Sequence, residues 1–540
     1  MRRKTAAAAT ALLIAVAACT SGQSNDEVST SVATSPESTQ GTGSGATSSS
    51  EPTGTAGLSL VWAKEADPAG INPLKNGDIH SFELFTLVYE PLVRPADDLS
   101  PSPGLAVSWN QVSDIAWQFV LREGVQFSNG REMTAEDVVG TWDALKDLNI
   151  IAFIYPTIEG MSVVDTSTVE VTTTEPTPDL PTYLEWFWVL PAREMTDGSF
   201  NPDEELLGTG PFVVVDHVPG TSWTFQRNPN YWQSGLPIAD SVEIRIIPDD
   251  ASRVAAVVSG EADFAITGNP DVGAILAAND DVGVVIQDTT DLYYLALNNV
   301  WSESKFIDRR VRQAVAWAID RQAIIDTALG GLGDVTAITP VSFGDSCDPT
   351  TMPGAGGRDL DLAQSLLEEA GIEDLSVRLT VVPYFGAPRA PEIAQVIQQN
   401  LLEVGVQTEI AVLDGGAWIE ETFTNGTFDA TINWWTGGAS SSHLLGFMDP
   451  VKTGFDAMFV ADDAETVPLV REALASPVGP ERVQANAAAC EALGDLANVI
   501  PLATKPTSII YRSDRISPVF VPTEPVQMTF RDLAQFAPAN

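Results

Sequence analysis

Three kinds of residue are scarce in this chain. It has three cysteines, three histidines and only 28 lysines and arginines against 73 aspartates and glutamates, a formal net charge of −45. His80, His217 and His443 stand far apart, with no His-x-x-x-His or Cys-x-x-Cys spacing, which argues against a zinc site. The excess of acid disfavours nucleic acid and anionic lipid surfaces as partners. No Gly-x-Ser-x-Gly elbow, Walker lysine or strand-linked Gly-x-Gly-x-x-Gly occurs, and Gly41, Gly43 and Gly45 lie in a Ser/Thr tract with no element beside them. Ser442-His443 are adjacent in a loop, whereas a triad needs groups that converge in space. The pairs Asp249-Asp250, Asp280-Asp281 and Asp462-Asp463 read as solvated faces in so acidic a chain. Neither an enzyme nor a cofactor is expected.

What is present points to export. Arg2, Arg3 and Lys4 precede an apolar run, Thr5 to Ala18, that ends at Cys19; residues 1–18 therefore read as a signal peptide, too short to span a membrane. Val16-Ala17-Ala18-Cys19 resembles the lipobox of bacterial lipoproteins, which implies lipidation of Cys19 and a place on the extracytoplasmic face of the cell membrane. Residues 19–56 are rich in Ser, Thr, Gly and Pro with little to bury, the composition of a disordered tether. The remaining cysteines, Cys347 and Cys490, either pair as a disulfide or persist as two buried thiols.

The body begins near residue 57, and its length suggests about two to four domains. Strands are expected at Leu58 to Trp62, Trp117 to Leu121, Ser162 to Val164, Thr168 to Thr172, Phe212 to Val215, Trp223 to Phe225 and Val242 to Ile247. Thr134 with Asp137 reads as a capping pair that opens a helix, and Asp308, Asp320 and Asp359 as further N-caps. From Val377 onward the pattern alternates: strand, helix at Glu392 to Val404, strand at Val406 to Val412, helix near Ala417 to Phe423, then strand. That alternation implies an α/β lobe whose strand ends carry a ligand site.

The last of these strands, Ile432-Asn433-Trp434-Trp435, breaks into Thr436-Gly437-Gly438-Ala439-Ser440-Ser441-Ser442-His443. Between Asp429 and Asp449 no side chain is charged apart from the titratable His443. Uncharged aromatic and small residues suit close approach of a ligand to the backbone, and equally a buried strand and turn.

Several segments, in this order, resemble the peptide/nickel class of extracytoplasmic solute-binding proteins of ABC importers. They are Val88-Tyr89-Glu90-Pro91-Leu92-Val93, Phe127 to Val139, Leu207-Gly208-Thr209-Gly210-Pro211-Phe212, Arg227-Asn228-Pro229-Asn230-Tyr231-Trp232, Ser259-Gly260-Glu261-Ala262-Asp263 and Asp308 to Asp320. Their Gly/Pro punctuation and aromatics read as structural, with Gly208 and Gly210 expected to take backbone angles that other residues resist. The resemblance implies a two-lobe periplasmic-binding-protein fold with an inserted subdomain and a ligand cleft between the lobes. Lobe I would comprise 57–77, 190–295 and 505–540, the insert 78–189, and lobe II 296–504.

By the same resemblance the tryptophan turn faces the cleft, so Trp434, Trp435, Thr436, Gly437, Gly438 and Ser440 are candidate ligand-binding residues, and Arg389 a candidate for a ligand carboxylate. Peptide-binding members of the class usually carry an aspartate where this chain has Gly438. A buried ammonium without a partner would cost about 3 to 5 kcal/mol. Another acid supplies the charge, the amine reaches water, or the ligand has no free amine there. A Gly438→Asp change is expected to strengthen binding of free-amine peptides if this register is right. The expected function is capture of oligopeptides by a monomeric lipoprotein that delivers them to a membrane permease. The alternatives are a receptor for a glycan, opine, siderophore or metal chelate, and a non-transport regulatory protein of the cell envelope.

Overall fold

A computed structural model describes residues 57–146, 148, 155, 157–268, 272–273, 279–383, 387–453, 459–521, 523 and 529–539. The signal peptide, Cys19 and the tether lie outside the described residues. No helix among the described residues is long and apolar enough to cross a membrane.

Two large sheets organise the molecule. The first has seven strands in the order Val282–Gln287, Thr507–Arg512, Phe264–Thr267, Ser59–Lys64, Ser241–Ile246, Ser222–Arg227 and Phe212–Val218. Ser59–Lys64 runs parallel to both of its neighbours, and the remaining pairs are antiparallel. The second sheet has five strands in the order Val406–Val412, Leu375–Val381, Ala430–Trp435, Leu292–Leu297 and Val499–Thr504. A four-stranded antiparallel sheet, Ala106–Ser113, Ala116–Leu121, Thr168–Thr173 and Ile158–Asp165, belongs to the expected insert.

The chain passes between the large sheets at 288–291 and again at 505–506. Leu292–Leu297 pairs along its length with Ala430–Trp435, so the first passage precedes Leu292, a few residues before the expected limit at 295/296. The two passages are bonded to each other: the Lys505 amide donates to the Asp291 carbonyl at 3.0 Å and the Thr289 hydroxyl to the Lys505 carbonyl at 2.5 Å. Paired connections of this kind restrict relative motion of the lobes to rotation about one line.

Apolar side chains divide accordingly. One core joins the first sheet to the insert, with Trp62, Phe264, Phe85, Tyr89, Tyr183 and Trp188 in one buried cluster. Two others cover the opposite faces of the second sheet. The strand Ala430–Trp435 lies inside its sheet and is covered on both faces, which is why its sequence is apolar without clean alternation.

Three of the family-like motifs converge on Glu90, which is buried. Its carboxylate accepts from Thr209 Oγ1 (3.1 Å), Tyr231 Oη (3.2 Å), Trp232 Nε1 (2.8 Å) and Arg94 (3.2 Å). Thus three separated segments serve one buried acid. The reason for Gly208 and Gly210 differs from expectation. Neither has a positive φ; a Cβ on Gly208 would stand 2.0 Å from the Val88 carbonyl oxygen, and one on Gly210 would stand 2.7 Å from it. These glycines are required by close approach of two backbones, and the Gly210 amide donates to Val88 at 2.8 Å.

Local signals were followed closely elsewhere. Thr134 and Asp137 form a capping box on Ala135–Leu145, and Asp308, Asp320 and Asp359 cap Arg309–Ala318, Arg321–Ala323 and Leu360–Glu369 through backbone amides.

Candidate functional site

A cavity of about 640 Å³ opens between the two large sheets. From the first lobe come Glu65, Asp249, Asp250, Arg253 and Thr267; from the second come Tyr293, Leu329 and Arg389, and from the connection between them Lys505. Arg389 immediately precedes the helix Ala390–Glu403 and donates from Nε to the Ala328 carbonyl at 3.0 Å and from Nη1 to Glu392 at 3.2 Å. Ala328 ends a π-helical turn, Ile324–Ala328, and that carbonyl fixes the guanidinium at the cavity wall. Lys505 lies in the second passage between lobes, with its ammonium 5.9 Å from the Trp434 ring. Burial lowers the Lys505 pKa, opposed by Asp291 and Glu65. Burial raises that of Glu65, opposed by Arg253 and Lys64. The cavity therefore carries charges of both signs, with Arg253 and Asp250 of the first lobe paired at 2.7 Å.

The two tryptophans part company. Successive residues of a strand point to opposite faces, and Trp435 is buried against Tyr294 (4.1 Å between centroids) and Phe447 (5.3 Å). Trp434, half-buried, points to the Lys505 side. Thr436 lines a second, much smaller cavity of about 40 Å³ between the insert and the second lobe, together with Tyr183, Trp186, His443 and Phe447. Arg389 and Thr436 are thus in different cavities.

Beyond Thr436 the small-residue loop is pressed onto the insert. A Cβ on Gly437 would lie 2.6 Å from the Thr290 carbonyl. Gly438 has φ +56°, and a Cβ there would lie 2.6 Å from Glu185 Oε1 and 2.7 Å from His443 Nδ1. A side chain at this position is strained by the positive φ and requires Glu185 or His443 to shift. The Ala439 amide donates to Glu185 Oε1 at 2.9 Å. Ser440 caps the short helix Ser441–Gly446 and donates from Oγ to Asp179 at 3.0 Å. Asp179 also accepts from Arg482 at 3.2 Å, and Arg482 donates to Ser442 Oγ at 2.5 Å. Asp179 and Arg482 are almost wholly buried.

His443 stacks on Trp186 (4.9 Å, 25°) and packs against Tyr183 (4.7 Å). Burial lowers its pKa to about 4, so the imidazole is neutral. Ser442 Oγ accepts from Arg482. Burial raises the Glu185 pKa to about 8, opposed by the Ala439 amide and Arg531. Cys347 and Cys490 are joined by a disulfide with 6.2 Å between Cα atoms. It ties the loop carrying Asp345 to the helix Pro480–Leu496, the helix that carries Arg482. Asp345 accepts from Ser441 Oγ at 2.9 Å, so the same scaffold supports the glycine loop.

Sequence reasoning missed Glu65, Lys505, Asp179, Glu185 and Arg482. Glu185 had a signal: it is the one charged residue in Leu180 to Ala192, an otherwise apolar and aromatic run. Asp179 and Arg482 had none, being distant in sequence and individually unremarked.

Residues 100–456 match the model of the bacterial extracellular solute-binding proteins, family 5, middle region. The chain is 26% identical over 408 residues to the glutathione-binding protein GsiB of Salmonella typhimurium, covering 72% of this chain and 76% of that one. It is 27% identical over 417 residues to the dipeptide-binding protein of Escherichia coli K12, covering 70% and 76%. The fold is similar to that of the periplasmic binding protein DppA from Helicobacter pylori in complex with the peptide STSA, with a TM-score of 0.76, 20% identity and coverage of 90% and 98%. Solved two-lobe binding proteins of this kind share the mixed α/β architecture described above. Family 5 is a family of solute-binding proteins of ABC importers and not of enzymes. The chain belongs to the bacterial extracellular solute-binding proteins of family 5.

Proposed function

We propose that this protein captures oligopeptides between its lobes and delivers them to the permease of an ABC importer, without covalent chemistry. The observation that carries this reading is the 640 Å³ cavity between the sheets, lined by Arg389 of one lobe, Lys505 of the connection, and Glu65, Asp249 and the Asp250–Arg253 pair of the other lobe. A ligand with a carboxylate and an ammonium separated by uncharged backbone satisfies both walls at once. Arg389 holds the carboxylate, and Trp434 beside Lys505 gives an apolar wall. Cys19 anchors the chain by lipid to the extracytoplasmic face of the membrane, and the protein acts as a monomer. The names of relatives, which include dipeptide- and glutathione-binding proteins, support a peptide-like ligand.

Thermal shift with a mixed tripeptide pool tests the proposal. A pool at about 100 times its dissociation constant stabilises the native state by about 2.7 kcal/mol, which a melting curve resolves. Arg389→Ala is expected to lower that shift, and a pool amidated at its C-terminus to show the same loss with the wild-type protein. A shift with a sugar, opine or metal-chelate panel but none with peptides would overturn the reading in favour of a non-peptide solute.

A further inference from the structure

Glu185 is carried by the insert, which shares its core with the first lobe, whereas Ala439 and His443 belong to the second lobe. Leu99 of the insert packs into a core of the second lobe, so the seam where they meet is an interface between the two halves of the molecule. Three acids of the insert stand along it. Asp179 has Arg482 as its cation, and Glu175 has Lys452. Glu185 pairs with no cation among the described residues. It is 1% exposed, its Oε1 accepts from the Ala439 amide at 2.9 Å, and its Oε2 has no hydrogen-bond partner among the described residues. His443 Nδ1 lies 4.0 Å from Oε1, too far for a hydrogen bond, and the ring is neutral above about pH 4. A carboxylate taken out of water without a cation is far costlier than the neutral carboxyl, so a group in these surroundings keeps its proton. Separation of the lobes exchanges the Ala439 amide and the His443 ring for water, in which a glutamate is ionised at neutral pH.

We propose that closure of the lobes takes up one proton from solvent on Glu185, so that a solute held by the closed form is bound more tightly in acid than in alkali. This rests on the reading of the protein as a receptor that closes on its solute, whatever the solute is. The open form carries Glu185 as a carboxylate and the closed form as a carboxyl. Closure and proton uptake are therefore linked, and each favours the other. Burial moves the Glu185 pKa from 4.5 to about 8, which sets the window. Below about pH 4.5 both forms hold the proton; from there to about pH 8 only the closed form does, and affinity falls as the pH rises. The groups that face Glu185 are Tyr155 and Tyr183 of the insert, His443 of the second lobe and, at longer range, Arg531. The Asp179–Arg482 pair lies beyond Ser440 and Ser442, and Glu175 and Lys452 stand at the rim. The choice of solute stays with the large cavity, and the seam couples its capture to pH.

Calorimetric titration with a mixed tripeptide pool free of histidine and cysteine, at about pH 6.5 in two buffers of different ionisation enthalpy, counts the protons taken up. The wild type is expected to take up about one proton more than Glu185→Gln, and to lose at least about tenfold more affinity between about pH 6 and pH 8. The variant keeps an oxygen for the Ala439 amide and cannot ionise. It is expected to fold, as circular dichroism will show, to match the wild type near pH 5 and to bind more tightly than the wild type at pH 8. Glu65, Lys505 and Lys64, in and beside the large cavity, have shifted pKa values of their own, but they are common to both proteins and cancel in the difference. Equal uptake by the wild type and the folded variant, or no uptake by the wild type whatever the variant does, overturns the coupling and leaves peptide capture intact. If neither protein binds the pool, the peptide reading falls, and energy transfer between fluorophores on the insert and the second lobe decides the coupling without a ligand. A closed population that grows from pH 8 to pH 6 in the wild type but not in the variant upholds it; the same population in both overturns it.

Discussion

Where the two large sheets face each other, acids and bases line a cavity open to solvent. Where the insert meets the second lobe, Asp179, Glu185, Arg482 and His443 are all but removed from water and a few hydrogen bonds carry the contact. The first arrangement leaves charge available to a ligand at little cost to the protein. The second places charge where its satisfaction depends on the partner surface being present, and a buried ion pair broken on one side costs more than the intact pair contributes.

Asp179→Ala sharpens this contrast most. It leaves Arg482 buried at 1% exposure with its carbonyl and Ser442 contacts but without its anion. Loss of about 3 kcal/mol of unfolding free energy is expected in urea, at the lower end of the range for breaking a buried pair because those other acceptors remain. The analogous removal of Asp249 in the open cavity is expected to cost about 1 kcal/mol, the loss of one helix cap. Equal effects at the two sites would erase the distinction.

How much of this was legible in the sequence depends on whether the controlling interaction is local. Caps at Thr134, Asp308 and Asp359 are fixed by residues two or three positions away, and they were readable. The strand Ala430–Trp435 was readable as well, since burial on both faces leaves an apolar run. The role of Gly208 and Gly210 was not, because the obstacle is the Val88 carbonyl, more than a hundred residues earlier. The candidate site was half legible. Trp434 to Ser440 were picked out as a group, but strand alternation sends Trp435 into the core. The acids that meet the loop, Glu185 and Asp179, lie about 250 residues upstream, a separation at which no periodicity operates.

The pH dependence of stability separates the seam from the cavity by a smaller effect. Glu185 has its pKa raised by burial from 4.5 to about 8. The folded state therefore holds a proton that the unfolded state releases, and this contribution is complete below about pH 4.5 and lost as the pH climbs through about 8. Around Glu185 stand His443, neutral above about pH 4, and Tyr155 and Tyr183, both with raised pKa values. None of these three changes charge between pH 5 and 8. Melting temperatures of wild type and Glu185→Gln are expected to diverge from pH 5 to pH 8, with the wild type falling relative to the variant. Parallel curves would show that Glu185 is not held protonated by the seam.

The rim of the seam sets the lower bound. Glu175 of the insert pairs with Lys452 of the second lobe, yet their side chains are 44% and 27% exposed. Water screens such a pair and two flexible side chains must be held in one geometry, so exposed pairs contribute about 0 to 1 kcal/mol. Glu175→Gln is accordingly expected to change unfolding free energy by less than about 1 kcal/mol, and that small change to shrink further in 1 M salt. Asp179 and Glu175 span the same two parts of the molecule and differ chiefly in their access to water. A loss at Glu175 comparable to that at Asp179 would mean that contact across the seam, rather than its burial, sets the energy of the closed form.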